Sequence, residues 1–247
     1  MMGKSNYKLV VFETKKELYL NAAEVLSEIA ATSIASRGKF TIALSGGKTP
    51  AELYTLLANP FFREKFDWQK VFVFWGDERF VPGNDERNNS GQAISTWLSK
   101  INIAQDHIFP VPVNLPPEEA AAEYEKTIKS FWGNEKPAFD LILLGIGENG
   151  HTASIFPYSK LIDEQKEGIR AFYLEEEKIF RITMTAPLIN CSRNVLFLVT
   201  GKNKAEILEN VLEGQRDAEK YPAQLIRPAD GNLLWFVDKD AAAKLKT

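Results

Sequence analysis

Short apolar runs alternate with longer amphipathic segments along almost the whole chain. Uninterrupted apolar runs are typical of strands covered on both faces, whereas apolar residues at every third or fourth position are typical of helices. We therefore predict strands at residues 9–12, 40–44, 71–75, 141–144, 169–174, 179–184, 195–200 and 233–237. We predict helices at residues 15–37, 50–58, 89–99, 117–131, 204–212 and 238–245.

The alternation of strands and helices predicts an α/β fold with a single, doubly wound, mostly parallel sheet and helices on both faces. The runs at 169–174 and 179–184 are expected to pair with each other. Since no composition break or repeat marks a linker, we expect one domain over residues 1–247. Such sheets bind ligands beyond the carboxyl ends of their strands. Polar or glycine-rich loops follow four of these ends, at 45–49, 76–79, 145–151 and 200–204.

The first of these loops, SGGKTP at residues 45–50, connects a strand to a helix. Its two glycines allow backbone amides to turn towards a ligand, and free amides at a helix start bind phosphate. A nucleoside-triphosphate loop would need a glycine five positions before Gly47, where Ile42 stands, so that site is excluded. An ordinary tight turn is the alternative interpretation.

The second loop contains three consecutive charges, Asp77, Glu78 and Arg79, directly after a buried strand. At least one of them should point into the crevice. A carboxylate there could position water, a sugar hydroxyl or a histidine, and an arginine could bind an anion. A cluster of surface salt bridges would have the same sequence pattern.

The third loop, at residues 145–157, contains G-x-G-x-x-G behind a strand. A dinucleotide site is not favoured, because the motif lies past the middle of the chain and Pro157 interrupts the helix that should follow. We expect the glycines to bring His151 to the strand end as a catalytic group, because histidine titrates near neutral pH. The other histidine, His107, lies in a proline-rich connection and is expected to be structural or exposed.

Two basic residues, Arg181 and Lys204, are candidates to hold one phosphate together with the loop at 45–49. Lys202 competes with Lys204 for this role. The net charge of −3, from 30 basic and 33 acidic residues, gives no footprint for nucleic acid, so any bound anion must be met locally.

The remaining composition narrows the class of protein further. The single cysteine cannot form an internal disulfide, which favours a cytoplasmic location. No stretch approaches the ~20 apolar residues that span a bilayer, so no membrane partner is expected. No cluster of His, Cys and acidic residues has metal-ligand spacing, so we expect no metal.

Taken together, the loops resemble the 6-phosphogluconolactonase family, within the superfamily that includes glucosamine-6-phosphate deaminase/isomerase. The segments that carry the resemblance are LSGGKTP (44–50), WGDERFVP (75–82), FDLILLGIGENGHTASIFP (139–157), RITMT (181–185) and LFLVTGKNKAEIL (196–208). The resemblance implies a Rossmann-type, doubly wound fold. It also implies hydrolysis of 6-phospho-D-glucono-1,5-lactone to 6-phosphogluconate in the pentose phosphate pathway, without metal or cofactor.

The resemblance also assigns roles to individual residues. It implies that His151 is the acid–base group, that Asp77 assists it, and that Arg79 faces the sugar and its reacting end. Negative charge on the intermediate would be met by amides near 147–150 or by Arg79. Substrate phosphate would be held by Ser45, Gly46, Gly47, Thr49, Arg181 and Lys204.

One position departs from the family pattern. The family commonly has an aspartate two residues before the histidine, and here that position is Asn149. An amide can orient the imidazole but cannot stabilise an imidazolium by charge. Either Asp77 or Glu148 takes over that role, or His151 works with a lower pKa.

Two other functions are alternatives. In glucosamine-6-phosphate deaminase the segment after the histidine carries a glutamate that helps open the ring, and Phe156 stands in its place here. A sugar-phosphate-sensing domain of a transcriptional regulator would carry a DNA-binding module ahead of the first loop. Residues 1–44 leave no room for one, and the chain is not basic. The lactonase is therefore favoured over both.

Overall fold

The computed structural model describes residues 7–246. Its strands are β1 (Tyr7–Phe12), β2 (Phe40–Leu44), β3 (Val71–Trp75), β4 (Asp77–Arg79), β5 (Leu141–Leu144), β6 (Ile169–Leu174), β7 (Ile179–Met184), β8 (Asn194–Val199) and β9 (Asn232–Asp238). Its α-helices are α1 (Lys15–Arg37), α2 (Lys48–Leu57), α3 (Pro60–Arg63), α4 (Asn89–Thr96), α5 (Pro117–Trp132), α6 (Ala186–Asn190) and α7 (Ala205–Leu212).

Six strands form a parallel sheet in the order β1-β9-β8-β5-β2-β3. All residues of β2 and β5 are buried, so both faces of the sheet are covered at its centre. This confirms the doubly wound α/β prediction. The chain runs outward from β2 to β3 and then returns to β5 on the other side of β2. The switch point, where such sheets bind ligands, therefore lies between β2 and β5.

A second sheet, antiparallel and three-stranded, has the order β4-β7-β6. The pairing of 169–174 with 179–184 is confirmed, but the expectation of a single sheet is wrong. Gly76 explains the division, because its N–H donates to Leu44 O at 2.9 Å in the main sheet. Its carbonyl accepts from Met184 N at 2.8 Å in the second sheet. The chain thus crosses between sheets at one residue, and the charged run at 77–79 becomes a short strand.

Local capping explains where the longest helix begins and ends. Thr14 accepts a hydrogen bond from Glu17 N at 3.1 Å, and Gly38 ends the helix with a left-handed φ of 75°. These bounds agree with the helix predicted at residues 15–37. The helix predicted at 238–245 is wrong, because Asp238 is the last residue of β9 and the residues after it form turns. So short a segment gains little from helix formation alone.

One hydrophobic cluster extends through the main sheet and reaches the second sheet at Ile169, Ile182 and Met184. The expectation of one domain over residues 1–247 is compatible with this cluster and stays a prediction. Within the described residues, the structure contains no helix with both the length and the apolarity needed to cross a membrane.

Candidate active site

Four adjacent strands of the main sheet, β8, β5, β2 and β3, are followed by the four loops singled out in the sequence. Because parallel strands end at the same edge, residues 45–49, 76–79, 145–151 and 200–204 all lie at the carboxyl edge of the sheet. The loops after β2 and β5 lie on the two sides of the switch point. The fold therefore brings together segments that are far apart in the chain.

The loop after β2 leads into α2 through Gly47, whose φ of 105° strongly favours glycine. The first N–H groups of a helix have no partner within the helix and carry a partial positive charge, so they suit phosphate. Tyr54 binds both the backbone N–H and the carbonyl of Ser45, which holds the start of the loop. Thr49 Oγ1 lies 3.0 Å from Thr200 Oγ1, which joins this loop to the one after β8.

Asp77 is buried at the start of β4, where its Oδ2 accepts a hydrogen bond of 2.6 Å from the Ser154 hydroxyl. Ser154 is fully buried, and its own N–H donates to Thr183 Oγ1 at 3.2 Å. The histidine loop, β4 and β7 are thereby tied at one point.

Glu78 points the other way and serves α4. Its side chain accepts hydrogen bonds from the backbone N–H groups of Arg79, Asn89 and Ser90 at 2.6–2.9 Å. Burial nevertheless raises the pKa of this carboxyl to about 7, since the hydrogen bonds offset only part of the desolvation. Of the three consecutive charged residues, Glu78 thus has a structural role, because it connects β4 to the start of α4.

Arg79 and Arg181 lie directly opposite each other on β4 and β7. Like charges in this register repel, and both burial and Arg79 lower the pKa of Arg181. Within residues 7–246, the buried Nε atoms of both arginines have no hydrogen-bond partner. Arg181 also bonds Glu177, and Arg79 also donates to Arg87 O at 3.1 Å. The N–H groups without partners and the two facing positive charges suit an anionic ligand.

His151 is held in one orientation by its own loop. Asn149 Oδ1 lies 2.6 Å from His151 Nδ1 and accepts the backbone N–H of His151 at 3.2 Å. Because that N–H can only donate, the amide oxygen faces the ring, which assigns the proton to Nδ1 and the lone pair to Nε2. The neutral imidazole is therefore oriented as a base through Nε2.

Two glycines of the loop make this orientation possible. A Cβ at Gly147 would lie 2.1 Å from two ring atoms of His151, so the ring occupies the space of a side chain. Gly150 has a φ of 85°, which favours glycine. The N–H groups of Gly147 and Gly150 donate to His151 O and Gly147 O. These two N–H groups are therefore used within the loop. The expectation that amides near 147–150 or Arg79 meet negative charge stays a prediction.

The environment of His151 lowers its pKa to about 4. Burial is the largest cause. Asp77 opposes it by raising the pKa, and the positive charges of Arg181, Lys204 and Arg79 lower it again. The imidazole is therefore neutral at physiological pH, and these charged groups from β4, β7 and the start of α7 all surround it.

Lys204 and Lys202 differ in their surroundings. Lys204 is half-buried, its pKa is lowered by burial, and its charge acts on His151. Lys202 is exposed. Glu148 is exposed as well and accepts a hydrogen bond from Asn203 at 2.6 Å, so it lies beside the lysine segment rather than against the imidazole. Of the two lysines, Lys204 is the one beside the histidine.

The two histidines lie at opposite ends of the sheet. His107 Nδ1 lies 3.1 Å from Val71 O, at the amino end of β3, and its ring packs 4.0 Å from that of Phe72. Its role is structural, one of the two roles that the sequence predicted. His151 alone of the two lies at the carboxyl edge.

Comparison with known proteins decides the family. The sequence profile described as "Glucosamine-6-phosphate isomerases/6-phosphogluconolactonase" matches residues 13–235. The chain belongs to this family.

Relatives within the family cover nearly the whole chain. A 6-phosphogluconolactonase from Synechocystis is 40% identical over 218 residues, which are 87% of this chain and 88% of the relative. The solved 6-phosphogluconolactonase from Trypanosoma cruzi has a TM-score of 0.86 at 30% identity and covers 98% of both chains. A monomeric glucosamine-6-phosphate deaminase shares the fold, with a TM-score of 0.81 at 22% identity.

Phe156 separates this site from the deaminase pattern. Its ring stacks on the imidazole of His151, with centroids 4.2 Å apart and planes 24° apart. Arg181 Cζ lies 5.9 Å from the centroid of the same ring. An apolar ring thus packs on the imidazole and lies near the guanidinium of Arg181, and this position holds no carboxylate. This ring contributes to the desolvation of His151.

Sequence reasoning missed three buried residues that hold the site together: Ser154, Thr183 and Asn89. Each is small and polar. Ser154 and Thr183 lie in the segments at 139–157 and 181–185 that carry the resemblance, but their residue types do not signal a role there, and Asn89 lies outside those segments. Their partners lie 12 to 77 positions away in the chain. Only their position behind Asp77 shows their role.

Proposed function

We propose that the protein is a 6-phosphogluconolactonase, which hydrolyses 6-phospho-D-glucono-1,5-lactone to 6-phosphogluconate in the pentose phosphate pathway. The observation that carries the proposal is the Asn149–His151 hydrogen bond, which leaves a neutral Nε2 directed as a base. This base lies among the positive charges that a sugar phosphate needs. The cytoplasmic location stays a prediction from the single cysteine.

The phosphate end of the substrate would bind the loop at 45–49 and the basic groups around it. Amides at the start of α2, the hydroxyl of Thr49, and the charges of Arg181 and Lys204 provide the donors. A phosphate far from the reacting carbon contributes binding energy that orients the ring. The unpaired Nε of Arg181 is the clearest sign of such a ligand, because a buried guanidinium N–H without a partner is costly.

The reacting end would lie beside His151. Nε2 takes a proton from a water molecule while the water oxygen attacks the carbonyl carbon of the lactone. The resulting oxyanion is met by Arg79, whose Nε has no partner among the described residues. When the bond from this carbon to the ring oxygen breaks, His151 returns the proton to the ring oxygen. The acid product then ionises and releases one proton to the medium.

The low pKa of His151 suits the second half of this cycle. An imidazolium beside Asn149 has no carboxylate partner at Nδ1 and is a strong acid, so it protonates the departing oxygen readily. In the first half, the attack of water, the low pKa makes His151 a weaker base than usual. A lactone is an activated ester, so this weaker base is sufficient. Asp77 supplies the opposing charge that keeps the pKa from falling further.

An assay of the purified protein tests this proposal. Lactone loss is followed by NMR, or by proton release in weak buffer, against the spontaneous rate measured without protein. We expect lactone loss well above that rate and no ammonia from glucosamine 6-phosphate. Ammonia release without acceleration of lactone loss would instead establish the deaminase, and the absence of both activities would favour a sugar-phosphate-sensing domain.

A further inference from the structure

Asn89, in the first turn of α4, lies between two loops of the site although no motif includes it. It is 1% exposed. Its side-chain Nδ2 donates a hydrogen bond of 2.9 Å to the carbonyl oxygen of Asp77. Its backbone N–H donates to Glu78 Oε1 at 2.6 Å. One asparagine is therefore bound to two consecutive residues of β4.

The other side-chain atom of Asn89 faces the loop after β2. A Cβ built at Gly46 would lie 1.7 Å from Asn89 Oδ1, so this oxygen fills the space that a side chain at Gly46 would take. Within the described residues, Oδ1 is buried and has no hydrogen-bond partner. An oxygen in this state is costly unless its position serves another purpose. Its position fixes the distance from β4 to the Gly46 backbone.

Glu78 makes the contact rigid. Its carboxylate accepts the N–H groups of Asn89 and Ser90, which are unpaired donors at the start of α4. Glu78 is itself fully buried on β4. The first turn of α4 is thus fastened to the strand that carries Asp77, and the Asn89 side chain has little freedom to move away from Gly46.

We propose that Asn89 is a positioning residue that sets the spacing between the loop at 45–49 and Asp77, and hence between the two ends of the substrate. The proposal rests on the proposed function, because that function assigns phosphate to one loop and the reacting carbon to the other. Rate acceleration by a remote phosphate requires a fixed distance between the two sites, and an error of about 1 Å can cost roughly 100-fold in rate.

A purely structural role for Asn89 would be to support α4, and Asn88 offers a matched control for that role. Asn88 is equally buried, and its Oδ1 accepts the N–H of Gly91 at 2.7 Å as the cap of the helix. Its Nδ2 donates to Val81 O at 3.3 Å, away from the loop at 45–49. Asn88→Ala therefore damages the helix start and spares the contact with Gly46.

The experiment compares Asn89→Ala with Asn88→Ala. Both variants should lower Tm. Only Asn89→Ala should lose tenfold or more in kcat/KM for the phosphorylated lactone, with a smaller loss for D-glucono-1,5-lactone, which has no phosphate to align. Equal losses in the two variants on both substrates would overturn the proposal.

A second readout separates this inference from the proposed function. In ¹⁵N NMR spectra, Asn89→Ala should shift the amide signals of Gly46 and Gly47, and Asn88→Ala should leave them nearly in place. This NMR result does not depend on lactonase activity. If the wild-type protein had no lactonase activity, only the proposed function would be refuted. Unchanged glycine signals in Asn89→Ala would overturn the positioning role.

A double-mutant cycle covers the case in which the NMR variants fold poorly. Gly46→Ala should lower Tm strongly, because the new methyl group meets Asn89 Oδ1. The same substitution should cost far less in the Asn89→Ala background, where that oxygen is gone. Additive losses in Tm would mean that the two residues are not in contact and would overturn the proposal.

Discussion

The side-chain oxygen of Asn149 lies 2.6 Å from Nδ1 of His151 and fixes the imidazole with Nε2 free to act as a base. An aspartate at this position would orient the ring in the same way and would also stabilise the imidazolium by charge. The amide keeps the orientation without the charge. Burial, with the positive charges of Arg181, Lys204 and Arg79, lowers the pKa of His151 to about 4, and the amide adds no charge that would raise it.

The pH dependence of kcat/KM should therefore change in Asn149→Asp. His151 in the wild type loses its activity as a base only as the pH falls through about 4, so its acid limb lies low. A carboxylate beside Nδ1 favours the charged imidazolium and should move this limb upward by about 1–3 pH units. The measurement is kcat/KM against pH, with the His151 pKa followed by NMR.

Glu148→Gln is the control for that experiment. Glu148 is exposed and bonded to Asn203, so its removal should leave the acid limb in place. An acid limb that moves in Glu148→Gln and not in Asn149→Asp would mean that Glu148 is the partner of His151.

Arg181→Ala and Arg79→Ala should respond differently to the phosphate of the substrate. A charge-assisted hydrogen bond contributes about 1.5–3 kcal/mol, so Arg181→Ala should raise KM for the phosphorylated lactone roughly 10- to 100-fold. It should change the kinetics with D-glucono-1,5-lactone little. Arg79→Ala should lower kcat for both substrates, because Arg79 is assigned to the oxyanion.

Steady-state kinetics of both arginine variants with both lactones check these assignments. Arg193→Ala serves as the control, since Arg193 lies beside Asp140 at the amino edge of the sheet. An Arg181→Ala defect of equal size on both substrates would contradict the phosphate assignment.

Ser154→Ala should weaken catalysis through Asp77. Removal of the 2.6 Å hydrogen bond leaves a buried carboxylate with one donor fewer, at a cost of about 1.5–3 kcal/mol for a bond to a charged group. We expect lower stability and a roughly tenfold or greater loss in kcat. Ser159→Ala is the matched control, because the buried Ser159 hydroxyl has no partner in the described part of the chain. Equal kinetics of the two variants would exclude a role for Ser154 in positioning Asp77.

Asp140→Ala should reduce stability and leave substrate affinity unchanged. Asp140 is buried before β5, at the amino edge, where it accepts hydrogen bonds from Arg37 at 2.7 Å and from the N–H of Thr41 at 2.8 Å. Arg37 is partly exposed, which weakens the ion pair, so the main loss is that of the partner of the Thr41 N–H, at about 1–3 kcal/mol. Chemical denaturation should show this loss, and KM of the folded enzyme should stay within about twofold. A large rise in KM would show that the two edges of the sheet are coupled.

Much of the fold follows from local pattern. The strands at 40–44, 71–75 and 141–144 were predicted with the bounds that the structure has, because buried parallel strands are continuous apolar runs. The second sheet was not predicted as separate, since the break at Gly76 depends on partners in two different sheets. The closing helix failed because pairing of β9 with β1 overrides the helical pattern at Asp238.

The site divides in the same way. The loop at 45–49 and His151 can be predicted from the sequence, because glycines and a histidine directly after buried strands indicate a binding site at the carboxyl edge of the sheet. The residues behind them cannot be found in this way, because Ser154 and Asn89 act through hydrogen bonds to residues that only the tertiary fold brings near them. The role of Asn149 was left open by the sequence, and the geometry favours orientation of His151 with a lowered pKa.

The role of His151 as the catalytic base is tested most directly by kcat/KM for the phosphorylated lactone in His151→Ala and His107→Ala. His107 packs on Phe72 at the other end of the sheet, so its variant controls for the loss of a histidine. With both variants folded by circular dichroism, His151→Ala should lose about 10²–10⁴ in rate, the usual contribution of a general base, and His107→Ala should lose little. A folded His151→Ala within twofold of wild type would contradict the mechanism.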